Sequence, residues 1–174
     1  MCIGWVRRPG TGNVKERTHT IFWSGSENRT AGVGFAISNK FGHINPVPVN
    51  EKLMTAQVPL SNDVHFTLIS VYAPTMQRSP NEKESFYEKL GECIVKAKGD
   101  SMIVLGDFNA HVGKDWQSWP TVIGKHGVGK TNSNGLMLLE FCTRFQLSIM
   151  GTMFQLKNHL KNTCSICDPN IGTK

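Results

Sequence analysis

Residues 101–113 read SMIVLGDFNAHVG, and how this stretch is read decides the fold. SMIVLGD is a continuous apolar run that ends in a carboxylate, the pattern of a central strand buried on both faces. Past its end, Asp107 and Asn109 stand two residues apart, a spacing that aims both side chains at one mouth of a sheet. A carboxylate there can accept a proton or bind magnesium, and an amide can hold a water or a phosphate oxygen. The same two residues also suit a plain turn after a strand, and the dipeptide spacing alone leaves both readings open.

Upstream of this stretch the chain predicts a helix. Ser79-Pro80-Asn81-Glu82 is a capping box with proline at the first helical position. Phe86, Tyr87, Leu90, Cys93, Ile94 and Ala97 then recur at helical spacing as one apolar stripe, and Gly99-Asp100 reads as the stop. Earlier still, HTIFWSG (19–25) and AGVGFAIS (31–38) flank the polar turn SENRT. LMTAQVPL (53–60) and HFTLISVYA (65–73) flank SNDV, which makes a second hairpin. Downstream, Asn134 is the expected cap of a helix GLMLLEFCTRF, with Leu138, Leu139, Cys142 and Phe145 facing inward, and LSIMG (147–151) is expected to form a strand. Hairpins followed by strand–helix–strand define an α/β or α+β protein whose sheets are covered by helices.

The chain has 174 residues, the length of one domain with a core of its own. Its 39% hydrophobic content argues against disorder. With 19 basic and 13 acidic residues the net charge is +6, a balance that permits nucleic-acid binding and equally describes an ordinary basic surface. MCIGWVRRPG has no apolar core of a secretory leader, and no run reaches membrane-spanning length, so an intracellular protein without membrane association, nuclear or cytoplasmic, is expected. Cys164 and Cys167 form a single C-x-x-C. With only His159 or Asp168 nearby, it does not make a zinc site on its own.

A second cluster, SVYAPT (70–75), places Tyr72 where a strand passes into a loop; its phenol can donate to a phosphoryl oxygen or simply sit at the rim with a wet hydroxyl. Taken in order, SVYAPT, a helix containing FYEKL, VLGDFNAHVG and IGKHGVGKTNSNGLMLLEFC resemble the endonuclease domain of non-LTR retrotransposons. That domain belongs to the endonuclease/exonuclease/phosphatase superfamily. The resemblance covers residues 12–163. It implies a single domain of the four-layer α/β sandwich (DNase I-like) type and magnesium-dependent hydrolysis of a DNA phosphodiester. On the family's pattern Tyr72 would contact the scissile phosphate, Asp107 would orient or deprotonate the attacking water and ligate Mg2+, and Asn109 would hold the phosphate. DNA is the implied partner. Lys125, Lys130 and Arg144, with Lys157 and Lys161, are then the basic side chains expected to meet phosphates, each of which also reads as a solvated surface residue.

The family pattern also calls for an early asparagine, a glutamate that is the main magnesium ligand, a late aspartate and a histidine. No acid precedes Glu16, and LKNTCSICDPNIGTK carries neither late motif. The expectation is an incomplete fold with impaired catalysis, or alternatively a non-catalytic binding domain for nucleic acid or protein.

One motif competes. GKHGVGKT (124–131) spells the phosphate-binding P-loop pattern in full. A P-loop needs a buried strand before it and a helix beginning at its end. QSWPTVI contains a proline and few consecutive aliphatics, and a helix start at Asn134 falls three residues after Thr131. The expectation is a surface loop and no nucleotide cofactor.

Overall fold

The polar turn between the first two predicted strands explains itself chemically. The Ser26 hydroxyl accepts from the backbone N–H groups of Thr30 and Ala31, each at 3.0 Å, and Asn28 Oδ1 accepts from the Thr30 hydroxyl at 2.7 Å. Short polar side chains that bond nearby backbone groups reverse the chain here. The computed structural model describes residues 2–4, 6–61, 64–97, 101–155 and 165–167. The chain divides into two units, one formed by Met1–Tyr72 with Lys96–Gly106, the other by Ala73–Val95 with Asp107–Lys174.

In the first unit, strands β1 (Cys2–Gly4), β2 (Gly10–Lys15), β3 (His19–Gly25) and β4 (Gly32–Ser38) form an antiparallel sheet in the order β1-β4-β3-β2. Strands β5 (Val47–Asn50), β6 (Leu53–Ser61), β7 (Val64–Tyr72) and β8 (Ser101–Asp107, its last residue counted in the second unit) make up a second sheet in that order. Both expected hairpins are present: His19 pairs Ser38, and Leu53 pairs Val71. The two sheets face each other. Ser70 Oγ donates to the Gly34 carbonyl at 3.3 Å, and Ser24 Oγ donates to the Asn50 carbonyl at 3.0 Å. Val33 and Phe35 of the first sheet pack with Met54 and Ala56 of the second, and Ile44 closes the cluster. Burial of a side chain the size of Phe35 or Met54 contributes about 1.5–3 kcal/mol.

In the second unit, helix α1 (Pro80–Lys96, its last residue counted in the first unit) starts as its capping box predicts, with Ser79 Oγ accepting from the Glu82 N–H. The residues read as its stop, Gly99-Asp100, lie outside the described residues. Helix α2 (Ser133–Phe145) ends at Gln146, whose left-handed conformation lets its N–H reach the carbonyls of Cys142 and Thr143. The helices meet through aromatic rings: Phe141 lies 5.0 Å from Tyr87 and 4.6 Å from Phe145. Leu138, Leu139 and Cys142 are buried and Phe145 half-buried, as the stripe predicts. A short strand β9 (Ser165–Cys167) follows late in the chain; Cys164, His159 and Asp168 lie outside the described residues.

Three expectations are corrected. Of the β8 core run only Val104 is fully buried, while Met102, Ile103 and Leu105 are half-buried. LSIMG is not a strand. Its backbone N–H groups go elsewhere: Leu147 to the Cys142 carbonyl, closing α2, and Ile149 to the Val122 carbonyl. A 3-10 turn at Met150–Thr152 then bends the chain away. The apolar character was real, since Leu147 and Ile149 are buried, but it anchors a loop instead of a ladder. Finally, the cap of α2 is Asn132, which accepts from the Gly135 N–H, and Asn134 sits inside the first turn.

The architecture is α+β, two sheets with helices, of the type the endonuclease/exonuclease/phosphatase resemblance implies.

Candidate functional site

The last residue but one of β8 is a glycine that its backbone requires. Gly106 has φ +144°, and a Cβ built on it would stand 1.9 Å from the Val71 carbonyl oxygen. Only glycine combines that backbone conformation with so close an approach. Asp107 Oδ1 accepts from the Asn109 N–H at 2.8 Å, and Phe108 between them is 1% exposed and anchors the turn. Asn109 adopts a left-handed conformation, φ +47°, which asparagine tolerates better than most residues. Its Nδ2 donates to the Ala73 carbonyl at 2.8 Å, while the Ala73 N–H donates to the Asp107 carbonyl at 2.8 Å. Ala73 is thus held on both sides by the DFN turn.

Asn134 completes the arrangement. Its side chain is 3% exposed, and Nδ2 donates to two carbonyls, Pro74 at 3.0 Å and Asn109 at 2.9 Å. The companion atom Oδ1 is buried without a hydrogen bond among the described residues. Local sequence assigns Asn134 to capping and misses this bridge. The signal that could have found it is the pair Asn132/Asn134, since only one of two asparagines that close can cap. The capping asparagine also binds the neighbouring loop. Asn132 Oδ1 accepts from the His111 N–H at 3.1 Å, and the Asn132 N–H donates to the His111 carbonyl at 3.0 Å. The start of α2 is therefore sewn to the segment that leaves the turn.

The structure brings Asp107 and Asn109 together, with the Asp107 carboxylate exposed to solvent and Asn109 half-buried. Tyr72 belongs to the first unit as the last residue of β7; its N–H donates to the Lys52 carbonyl at 2.9 Å, and its half-buried ring packs on the core cluster there. Lys125 and Lys130 are exposed on the segment before α2, and Lys125 Nζ lies 5.1 Å from the centre of the Trp116 ring. Arg144 lies in the last turn of α2, its guanidinium 5.6 Å from the Phe145 ring. At 1.5 Å per residue it stands roughly 17 Å along the helix from the capped end. Lys157 and Lys161 lie outside the described residues.

Part of GKHGVGKT is tied to neighbouring loops. Ser118–Ile123 is a succession of turns and bends, so no strand leads into it. The Gly124 and His126 N–H groups donate to the Thr152 hydroxyl and carbonyl, and the Thr131 hydroxyl donates to the Val112 carbonyl at 3.0 Å. The helix begins sooner than expected, however: its cap follows Thr131 directly, so a late helix start no longer counts against the motif.

As for a divalent cation, Asp107 offers one exposed carboxylate, suited to an ion that keeps most of its waters. No three His, Cys, Asp or Glu side chains converge into a ligand set among the described residues. One carboxylate does not by itself make a magnesium site. No helix is long and apolar enough to cross a membrane among the described residues.

Comparison with known proteins adds the family. Residues 66–173 match the family model described as endonuclease-reverse transcriptase, and the chain belongs to that family, with an endonuclease/exonuclease/phosphatase-like domain. Among curated proteins it is 31% identical over 157 residues to craniofacial development protein 2 of Bos taurus and 29% identical over 157 residues to that of Tragulus javanicus. Each alignment covers 88% of this chain but only 26% and 27% of the relatives, so the chain spans about a quarter of their length.

Proposed function

We propose that this chain is a retrotransposon-derived, endonuclease-like domain that engages a DNA phosphodiester at the Asp107–Asn109 turn, and that its turnover by its own residues is weak. The observation that carries this reading is the braced turn. Asp107 presents an exposed carboxylate while Asn109, Ala73, Pro74 and Asn134 hold the backbone beneath it through four hydrogen bonds of 2.8–3.0 Å. Preorganisation of this kind is what in-line attack on phosphorus requires. In the hydrolytic step Asp107 takes the proton of the attacking water as its oxygen bonds to phosphorus, the ester P–O bond breaks, and the leaving oxygen takes a proton from solvent. One N–H of the Asn109 amide goes to Ala73, and the amide has a second to offer a phosphate oxygen. Magnesium, when bound, would neutralise phosphate charge, with Asp107 as its ligand from this turn.

Weak turnover is supported by the lone carboxylate, since no cluster of three ligating side chains forms among the described residues. A second reading, nucleic-acid binding without hydrolysis, draws on that same observation together with the net charge of +6. Nicking of supercoiled plasmid in magnesium separates them, with EDTA and Asp107→Ala as controls. Slow nicking abolished by both controls is the expected result. Fast nicking would overturn weak turnover, nicking that survives Asp107→Ala would overturn the role of Asp107, and salt-sensitive binding with no nicking would establish the second reading.

A further inference from the structure

Two chain segments leave the start of α2 side by side and are tied rung by rung. Asn132 and His111 exchange two hydrogen bonds, the Thr131 hydroxyl donates to the Val112 carbonyl, and Gly127 approaches so closely that a Cβ on it would stand 2.2 Å from the Gly113 carbonyl and 3.2 Å from Lys114 Cα. Beyond the last rung the outer end carries Trp116 from one segment and Lys125 from the other, with the ammonium over the indole face. The Trp116 turn is itself shaped, since the Trp116 N–H donates to the Lys114 carbonyl and Asp115 Oδ1 accepts from the Ser118 N–H. The indole is 38% exposed, a large apolar area for a side chain that could have been buried. Lys114 and Lys125 are exposed beside it.

From this we infer that Trp116 and Lys125 form a contact for a nucleic-acid strand, in which the indole stacks on an unpaired base and Lys125 meets the neighbouring phosphate. The inference rests on the reading of the Asp107 turn as a phosphodiester site and names how a strand is held beside it. Each face of the contact has its chemistry on the page. An aromatic plane accepts any base, a lysine ammonium serves as a point charge for phosphate, and an exposed cation–π contact is weak enough to open when a base arrives. The tied segments connect this contact directly to the turn. Trp116 follows Asn109 by seven positions, so the two are no more than about 25 Å apart even if the segment were fully extended. A single strand of a few nucleotides bridges that span.

The test is fluorescence anisotropy of a labelled single-stranded DNA oligonucleotide, and of a duplex of equal length, in EDTA so that nothing is cleaved. The full chain is expected to bind the single strand more tightly than the duplex. Trp116→Ala should weaken single-strand binding by about tenfold, Trp116→Phe should restore most of it, and Lys125→Ala should reduce the salt slope by roughly 0.7. Should the alanine variant at Trp116 fail to fold, Lys125→Glu on the exposed loop carries the same test through lost affinity. Tighter duplex binding, single-strand binding indifferent to these substitutions, or no binding at all overturns the inference. Because binding is read without turnover, the outcome is separate from that of nicking. Trp116-dependent binding by a chain that never nicks keeps this contact and removes the hydrolytic reading. Asp107-dependent nicking with no role for Trp116 does the reverse.

Discussion

At the scale of single residues, Asn134 illustrates how much one buried amide can organise. Its two donated hydrogen bonds join the Pro74 loop and the DFN turn to the first turn of α2. Each contributes about 0.5–1.5 kcal/mol net. Asn134→Ala is therefore expected to lower stability by roughly 1–3 kcal/mol, moderated because the buried Oδ1, which has no hydrogen bond among the described residues, goes with it. Urea denaturation followed by circular dichroism measures this, and an unchanged midpoint would show that the bridge contributes nothing. Gly106 tests the backbone instead of a side chain. Any Cβ there meets the Val71 carbonyl while φ stays at +144°, so Gly106→Ala should cost about 3 kcal/mol or more and leave little soluble protein. A soluble variant with wild-type stability would contradict the close approach. The turn was half legible from sequence. Aspartate and asparagine two residues apart after an apolar run announce a turn, but nothing local says which carbonyls Asn109 and Asn134 will reach, since those partners lie 36, 60 and 25 residues away.

At the scale of elements, α2 depends on its cap and on its aromatic seam with α1. Asn132 Oδ1 accepts both Gly135 N–H and His111 N–H, so it serves helix and loop at once. Asn132→Ala should cost about 1–2 kcal/mol, toward the upper end for a cap because two donors lose their acceptor. A loss of only a few tenths in the same denaturation assay would reduce it to a minor cap. The aromatic seam contributes more. Phe141 is buried between Tyr87 and Phe145, and Phe141→Ala should cost about 3–5 kcal/mol through lost burial and the cavity left behind. Both helices were readable from their 3.6-residue stripes because those patterns lie within one element. LSIMG misled for a related reason: a short apolar run states that it will be buried, not whether its backbone will find a strand edge or, as here, the Val122 carbonyl of a loop.

At the scale of the whole molecule, composition bears on the proposed partner. A net charge of +6 and a pI of about 9.2 permit binding to polyanions, and binding of that kind weakens steeply with salt. Affinity for DNA should fall by orders of magnitude between about 50 and 200 mM salt if several phosphates are contacted. Affinity that does not change over that range would mean that phosphate contacts are few, and the proposed partner would be wrong. The hairpins, both helices, the strand ending in Asp107 and the family were legible before folding, since each of these is written in local periodicity, turn chemistry and ordered motifs. Three-dimensional packing was needed to show that Asn134 braces the turn instead of capping a helix, that the Gly124 and His126 N–H groups go to Thr152, and that Trp116 and Lys125 stand together. The physical reason is the same in each case. A hydrogen-bonding group can be satisfied by several partners of equal chemistry, and which one it takes is settled by packing between segments far apart in the chain.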